Sequence, residues 1–171
     1  MMNLNFKADT DLLDVIDKIR VQISSAIRIR YIDSNRPWGG FMVIDEEDTE
    51  VFLYQFFPQL NKEDLSNAKL SPKILIVAPG KKLSWQYHRR RGEIWKVIGG
   101  QAGVVTSMDD KQGDKKVLQT GEVIELKQGE RHRLVGLENW VIVAEIWKHS
   151  DPNNPSDEDD IIRLEDDFGR E

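Results

Sequence analysis

The run Leu83-Ser-Trp-Gln-Tyr-His-Arg-Arg-Arg-Gly-Glu-Ile-Trp95 sets residues able to hold a metal into a stretch that is otherwise aromatic and strand-like. On a strand, alternate side chains share a face, so Gln86 and His88 point the same way. The turn-like Arg89-Arg90-Arg91-Gly92 follows, and a second β-rich run opens with Glu93. A hairpin at that turn would return Glu93 to the side of His88. An amide oxygen, an imidazole and a carboxylate then converge, a donor set that suits a divalent cation accepting nitrogen and oxygen. His132, in Gly129-Glu-Arg-His-Arg-Leu134, is the candidate fourth donor.

The elements that must position these residues are mostly short strands. Residues 73–77, 83–88, 93–98, 102–107, 116–119, 123–127, 131–135 and 140–147 read as β, punctuated by Gly80, Gly92, Gly99, Gly100, Gly113, Gly121, Gly129 and Gly136. Closely spaced short strands with turn signals argue for a sandwich or a barrel. Upstream, Leu12, Leu13, Ile16, Ile19, Ile23 and Ile27 recur at helical spacing over residues 9–28, with Asp9 or Thr10 to cap the start. That stripe serves either to pack on the barrel, the favoured use, or to form a homodimer. Arg36-Pro-Trp-Gly-Gly40 is a turn feeding a strand at 41–44. Residues 51–57 are too aromatic to sit exposed and end at Pro58.

The spacing carries a family resemblance. Gly80, Gln86-x-His88, Glu93 and Gly100 resemble the first cupin motif, with Gln in place of its first His. Gly121, Lys127-x-Gly129 and His132 resemble the second, departing at Lys127, where Pro is usual, and at Gly136, where Asn is usual. The chain is more similar still to the cupin domain of type II mannose-6-phosphate isomerases, often fused to a mannose-1-phosphate guanylyltransferase. The residues that match are Arg36-Pro-Trp-Gly39, Pro79-Gly80, Leu83-Ser84, Gln86, His88, Arg91, Glu93, Trp95, His132-Arg-Leu134 and the terminal block from Glu158 to Arg170. The resemblance covers about residues 36–170. It implies an all-β fold, the cupin double-stranded β-helix or double-sheet jelly roll, with an N-terminal α-helix added. It divides the chain into an N-terminal helical extension, 1–35, and a cupin domain, 36–171, that includes the acidic C-terminal motif. Residues 45–71 exceed the corresponding part of the family and read as an insertion, with a short helix around 62–65, that covers the barrel mouth.

His88 alone reads equally well as a structural histidine; with Gln86, Glu93 and His132 at cupin spacing, the metal reading prevails. One divalent ion is expected, Zn(II) foremost. The resemblance places Arg91 at an active site, and makes Asp160, Arg163 and Arg170 candidates for ion pairing or substrate contact. Arg91, Lys73 and Arg170 are the catalytic candidates; Arg91, Arg133, Asp160 and Arg163 are the substrate-binding ones. Guanidinium groups suit phosphate because they offer a rigid, permanently charged fork of donors. The family's usual E-H-W reads Glu93-Ile94-Trp95 here. Ile94 should point away from the face that carries Glu93, a packing change rather than a lost ligand. Glu145, in an apolar strand, needs a partner, either a ligand histidine or an arginine. The five tryptophans read as core rather than as platforms for stacking a sugar.

Composition bounds the partners. The net charge of −6 is concentrated at the end: residues 151–171 hold nine acids and two bases, so the other 150 residues sum to +1. Lys73, Lys81, Lys82, Arg89, Arg90, Arg91, Arg131 and Arg133 give the candidate site a local positive field that favours an anionic ligand. Nucleic acid is a poor candidate, with no reading motif in an acidic chain. Cysteine is absent, so neither a disulfide nor a thiolate metal site is available. No apolar run approaches bilayer length and no signal-peptide core opens the chain, which points away from membranes and to the cytoplasm. These residues and the resemblance imply a metal-dependent sugar-phosphate isomerase interconverting mannose 6-phosphate and fructose 6-phosphate. The alternatives are a non-catalytic cupin binding a sugar phosphate or nucleotide sugar, and a mononuclear iron dioxygenase.

Overall fold

The structure, a computed structural model, describes residues 2–60, 65 and 69–170. Helix α1 spans Leu12–Ile23 and is capped by Asp11, whose carboxylate accepts the Leu13 N–H at 2.8 Å, rather than by Asp9 or Thr10. It ends five residues short of Arg28. Ser24 and Ser25 follow Ile23, and serines compete with the helix for backbone partners. Ala26 and Ile27 both donate to the Ile23 carbonyl, so the chain tightens and Ile27 is buried anyway.

Among the described residues, eleven strands then form two antiparallel sheets. They are β1 (Ile29–Arg36), β2 (Gly39–Ile44), β3 (Lys73–Val77), β4 (Trp85–Tyr87), β5 (Arg91–Gly99), β6 (Gln101–Ser107), β7 (Lys116–Gln119), β8 (Val123–Leu126), β9 (Arg131–Gly136), β10 (Val141–His149) and β11 (Ile162–Glu165). The six-stranded sheet runs β1-β2-β3-β10-β5-β8 and the five-stranded sheet β11-β4-β9-β6-β7. This is the double-sheet jelly roll expected from the motifs. Residues 29–35, ahead of Arg36, are most of the edge strand β1 and pair with β2.

Period-two alternation sorts the six-stranded sheet into two faces. Ile74 and Ile76 of β3, Ile94 of β5, and Ile142, Ala144 and Ile146 of β10 face outward, against a layer built from Leu4, Phe6, α1 and α2 (Thr49–Phe56). Leu75, Val77, Trp95, Val97, Val141 and Val143 face inward, meeting Ala102, Val104 and Leu134 of the other sheet. With both faces covered, β10 reads as an almost unbroken apolar run. Val15, Ile16, Ile19 and Ile23 of α1 lie in the outer layer, so the helical stripe is spent within the chain; Leu13 remains largely exposed. Burying each such side chain is worth about 1.5–3 kcal/mol.

The described part of the 45–71 insertion does not cover the barrel mouth. Phe52, Leu53, Phe56, Phe57, Leu65 and Leu70 belong to the outer layer, because their aromatic bulk buries better on the apolar back of the sheet than over a polar mouth. The short helix expected around residues 62–65 falls, except for Leu65, outside the described residues. At the Arg36-Pro-Trp-Gly turn, Gly39 has φ +139°, and a Cβ there would meet the Ile76 carbonyl oxygen at 2.0 Å. Only glycine lets β2 lie that close to β3, and the turn delivers Trp38 into the inter-sheet core.

Candidate functional site

The inward positions of three neighbouring strands change character toward one end of the barrel. On β3 the inward row ends at Lys73, on β10 it runs into Glu145 and Trp147, and on β5 it runs back from Trp95 to Glu93 and Arg91. These residues line a cavity of about 560 Å³, with Trp38, Phe41, Gln86 and Arg163 among the rest of its wall.

Residues 88–92 are not the hairpin expected. β4 lies in the five-stranded sheet and β5 in the six-stranded one, so the chain turns a corner between sheets there. The corner still brings Glu93 to His88: Glu93 Oε1 lies 3.1 Å from His88 Nε2, and Oε2 lies 3.5 Å from His132 Nε2. All three residues are buried, and their candidate ligand atoms lie within 4.8 Å of one another. The corner is fixed by the tail. The Asp160 carboxylate accepts the backbone N–H groups of Arg89 (3.0 Å) and Arg90 (2.9 Å) and the Ser156 hydroxyl (2.6 Å).

Both imidazoles are oriented from behind. His88 Nδ1 donates to the Asp160 carbonyl at 2.5 Å and His132 Nδ1 to the Glu130 carbonyl at 2.9 Å. A carbonyl only accepts, so Nδ1 carries a proton in each ring and Nε2 is the atom turned toward Glu93. His132 Nε2 is buried with no hydrogen-bond partner, and burial foremost pushes the pKa of the ring down to about 4, so the ring is neutral. Burial works to raise the Glu93 pKa, but the neighbouring His88 ring and the Arg91 guanidinium outweigh it and hold the carboxyl well below its usual range. At His132, whose ring is neutral, the Glu93 carboxylate faces an imidazole nitrogen lone pair across 3.5 Å, an arrangement that is repulsive unless a cation lies between them. The cluster therefore fits a divalent ion, with Nδ1–carbonyl bonds of the kind that orient metal-bound histidines. Gln86 stands directly opposite His132 across the β4–β9 pair; its Oε1 accepts the Ser84 hydroxyl at 2.5 Å and retains a second lone pair.

Arg91 is buried and heavily engaged. It donates to Glu93 (2.9 Å), to the Ser156 hydroxyl (2.9 Å) and to the Asp157 carbonyl (2.9 Å), with Nη2 3.3 Å from His88 Nε2 and its carbon 3.6 Å above the Trp147 ring. Lys73 lies 4.3 Å over the same ring and is paired with the Glu158 carboxylate. Glu145 takes neither partner anticipated for it. Its oxygens accept the indole N–H groups of Trp95 (2.9 Å) and Trp147 (3.0 Å), and burial, reinforced by Glu93, pushes its pKa up to about 7.

Of the remaining residues singled out in the sequence, Arg163 and Arg170 line the cavity and Arg133 and Asp160 do not. Arg133 is one residue from His132 and so faces the other side of β9, where it donates to the Leu83 carbonyl and meets Glu165 and Asp167 at 3.6 Å. Asp160 has its carboxylate spent on the corner. Both act by holding the tail. Ile94 lies in the outer layer, away from Glu93. Sequence reasoning passed over Ser156, which joins Arg91 to Asp160, and Arg36, which reaches the cavity; only Arg36 lay within a recognised block.

Residues 59–166 match the family model described as mannose-6-phosphate isomerase C-terminal. A mannose-1-phosphate guanylyltransferase of Escherichia coli (strain K12) is 29% identical over 160 residues, 94% of this chain and 27% of that protein. A guanylyltransferase of Salmonella montevideo is 26% identical over 160 residues, 94% of this chain and 28% of its own length. The chain thus spans about a quarter of the length of the curated relatives it matches. Among solved structures, the capsular polysaccharide assembling protein CapF from Staphylococcus aureus superposes with a TM-score of 0.54 at 16% identity, over 81% of this chain and 34% of that one. At that identity the likeness speaks for the fold alone. Among the described residues, no helix is long and apolar enough to cross a membrane.

Proposed function

The chain belongs to the family of the mannose-6-phosphate isomerase C-terminal domain, and on that premise we propose that it is a metal-dependent aldose–ketose isomerase of sugar phosphates. The substrate pair we assign is mannose 6-phosphate and fructose 6-phosphate, in the cytoplasm. The observation that carries this reading is the buried His88–Glu93–His132 cluster, with an orphaned imidazole nitrogen, which meets a cavity of about 560 Å³ through Glu93.

His88, Glu93 and His132, with Gln86 alongside, would hold one divalent ion, Zn(II) by its donor set. Such an ion supplies a Lewis acid for the substrate oxygens on the carbons that exchange a proton. The chain's own residues do the rest. Glu145, with a pKa pushed up to about 7, has both its protonated and its ionised form populated at neutral pH, as a group that takes a proton from one carbon and returns it to the next requires. The Trp95 and Trp147 N–H groups fix its orientation, and Lys73, across the β3–β10 pair, supplies a compensating charge. Arg91 holds Glu93 and stacks on Trp147, setting the wall against which the substrate lies.

A second reading, a metal-binding cupin that holds a sugar phosphate without turning it over, is favoured by Arg91. Its donors are committed to Glu93, Ser156 and Asp157, which leaves little of the fork for a substrate. Metal content of the purified full chain, followed by mannose 6-phosphate turnover with that ion restored, decides between them. One equivalent of metal with turnover supports the isomerase; metal without turnover on any hexose phosphate leaves the binding cupin; absence of metal overturns the ligand set.

A further inference from the structure

His149 ends β10 and stands directly opposite Arg91 of β5. Of the chain's three histidines it is the one that the metal cluster leaves unused. Beyond it the chain turns at Asp151, whose carbonyl accepts the Asn154 N–H at 3.1 Å. It comes back so that the Ser156 N–H donates to His149 Nδ1 at 2.8 Å. An N–H only donates, so Nδ1 carries a lone pair and the neutral ring keeps its proton on Nε2, which is buried without a hydrogen-bond partner. This bond heads a series that leads to the site. Ser156 is buried; its hydroxyl donates to Asp160 at 2.6 Å and accepts from Arg91 at 2.9 Å. Asp160 in turn orients His88 through its carbonyl and the 88–92 corner through its carboxylate.

A proton added to the neutral ring goes to Nδ1 and turns the acceptor into a donor that faces the Ser156 N–H. Two donors cannot share that contact, so the bond is lost rather than weakened. Burial foremost, then the charges of Arg91 on β5 and of Lys69 ahead of β3, hold the ring's pKa below its ordinary 6.5; Glu46, in the loop after β2, and the Lys69 backbone pull the other way less strongly. Glu46 is itself engaged by the Leu70 and Ser71 N–H groups. On the tail, Asp157 is paired with Arg90, and the Asp160 carboxylate is spent on the corner. We propose that His149 is a positioning residue and a proton-sensitive latch: its Nδ1 lone pair holds the tail at Ser156, and protonation there lets residues 150–160 open and slackens the support behind His88. The latch stands on its own bond; its control of the site rests on the metal reading. The open tail binds one more proton than the docked one, so below the ring's ordinary value opening rises by up to about tenfold per pH unit.

The test is amide hydrogen exchange of residues 150–160 in the metal-free full chain, compared at each pH with His149→Asn, whose Oδ1 takes the place of Nδ1 without titrating. The ratio of wild type to variant is expected near one at neutral pH and about tenfold by about pH 5. His149→Leu, which removes the acceptor, should open the tail at every pH. A ratio flat across that range, or the same rise in His149→Asn, overturns the latch. If neither variant folds, nuclear magnetic resonance of the wild type decides. The Ser156 amide shift should follow the titration of His149; following His88 or His132 instead overturns the latch. With Zn(II) bound, release to a chelator should quicken over the same range in the wild type and not in His149→Asn. Opening without quicker release overturns the control of the site. A tail that opens with pH, in a chain that takes up no Zn(II), overturns the metal reading and leaves the latch standing.

Discussion

Asp160→Asn isolates how far the acidic tail builds the site. Asp160 Oδ1 accepts the Arg89 N–H, and Oδ2 accepts both the Arg90 N–H and the Ser156 hydroxyl, all in a buried position. Asparagine keeps the shape but turns one oxygen into a donor, so at least one backbone N–H loses its acceptor and faces another N–H. Hydrogen bonds to charged groups are worth about 1.5–3 kcal/mol each, and a buried donor left unpaired costs ~1–3 kcal/mol. Losing one such bond, and the charge on the other, should destabilise the protein by about 3–5 kcal/mol. At ~2–4 °C per kcal/mol for a chain of this size, the midpoint of thermal unfolding falls by roughly 10 °C. The same change slackens the Asp160 carbonyl behind His88 Nδ1, so metal affinity should drop ~10–100-fold. Urea unfolding of the metal-free chain measures the first effect, and competition with a chelator the second. A variant within 1 kcal/mol of wild type, with unchanged metal affinity, refutes the idea that the tail holds the corner. Ser156→Ala provides a cross-check: the double variant should lose less than the sum of the two singles, because the residues share a bond.

Other outcomes follow from the same geometry. His132 is pushed down to about 4 from an ordinary value of 6.5, so the unfolded chain binds its proton first. Stability from this group is present above pH 6.5 and lost as pH falls toward 4, by about 3 kcal/mol, and His132→Gln should flatten that limb in the metal-free protein. Glu145, pushed up to about 7 from 4.5, has the opposite sign: its contribution is full below pH 4.5 and lost as pH rises to 7, so Glu145→Gln should selectively stabilise the alkaline side. Ile94→His, which restores the residue usual in the family, places an imidazole in the apolar outer layer and should cost about 2–4 kcal/mol by denaturant unfolding while leaving metal uptake unchanged. Gly39→Ala drives a Cβ into the Ile76 carbonyl and should cost at least ~2 kcal/mol, read as a lower thermal midpoint.

The sequence by itself determined the pieces whose cause is local. Period-two alternation and glycine punctuation marked the strands from residue 73 on, and the motif spacing picked out His88, Glu93 and His132, which the fold brings within 4.8 Å of one another. Alternation on a strand also settled that Ile94 faces away from Glu93. Only the tertiary structure decided what depends on distant chain. The corner at residues 88–92 looks like a hairpin because turn residues are the same whether the next strand joins its own sheet or the facing one. Arg133 and Asp160 carry charges that suit a ligand, yet their partners Leu83, Arg89 and Arg90 lie remote in sequence and claim them first. Glu145 needed a partner by any reading, but that the partners are the two indoles of Trp95 and Trp147 follows from how β10 meets β5. The tail is the sharpest case. Its composition is that of a solvated end, and what orders it is a set of buried bonds from Asp160 and Ser156 to a corner some 70 residues away, which no local pattern encodes.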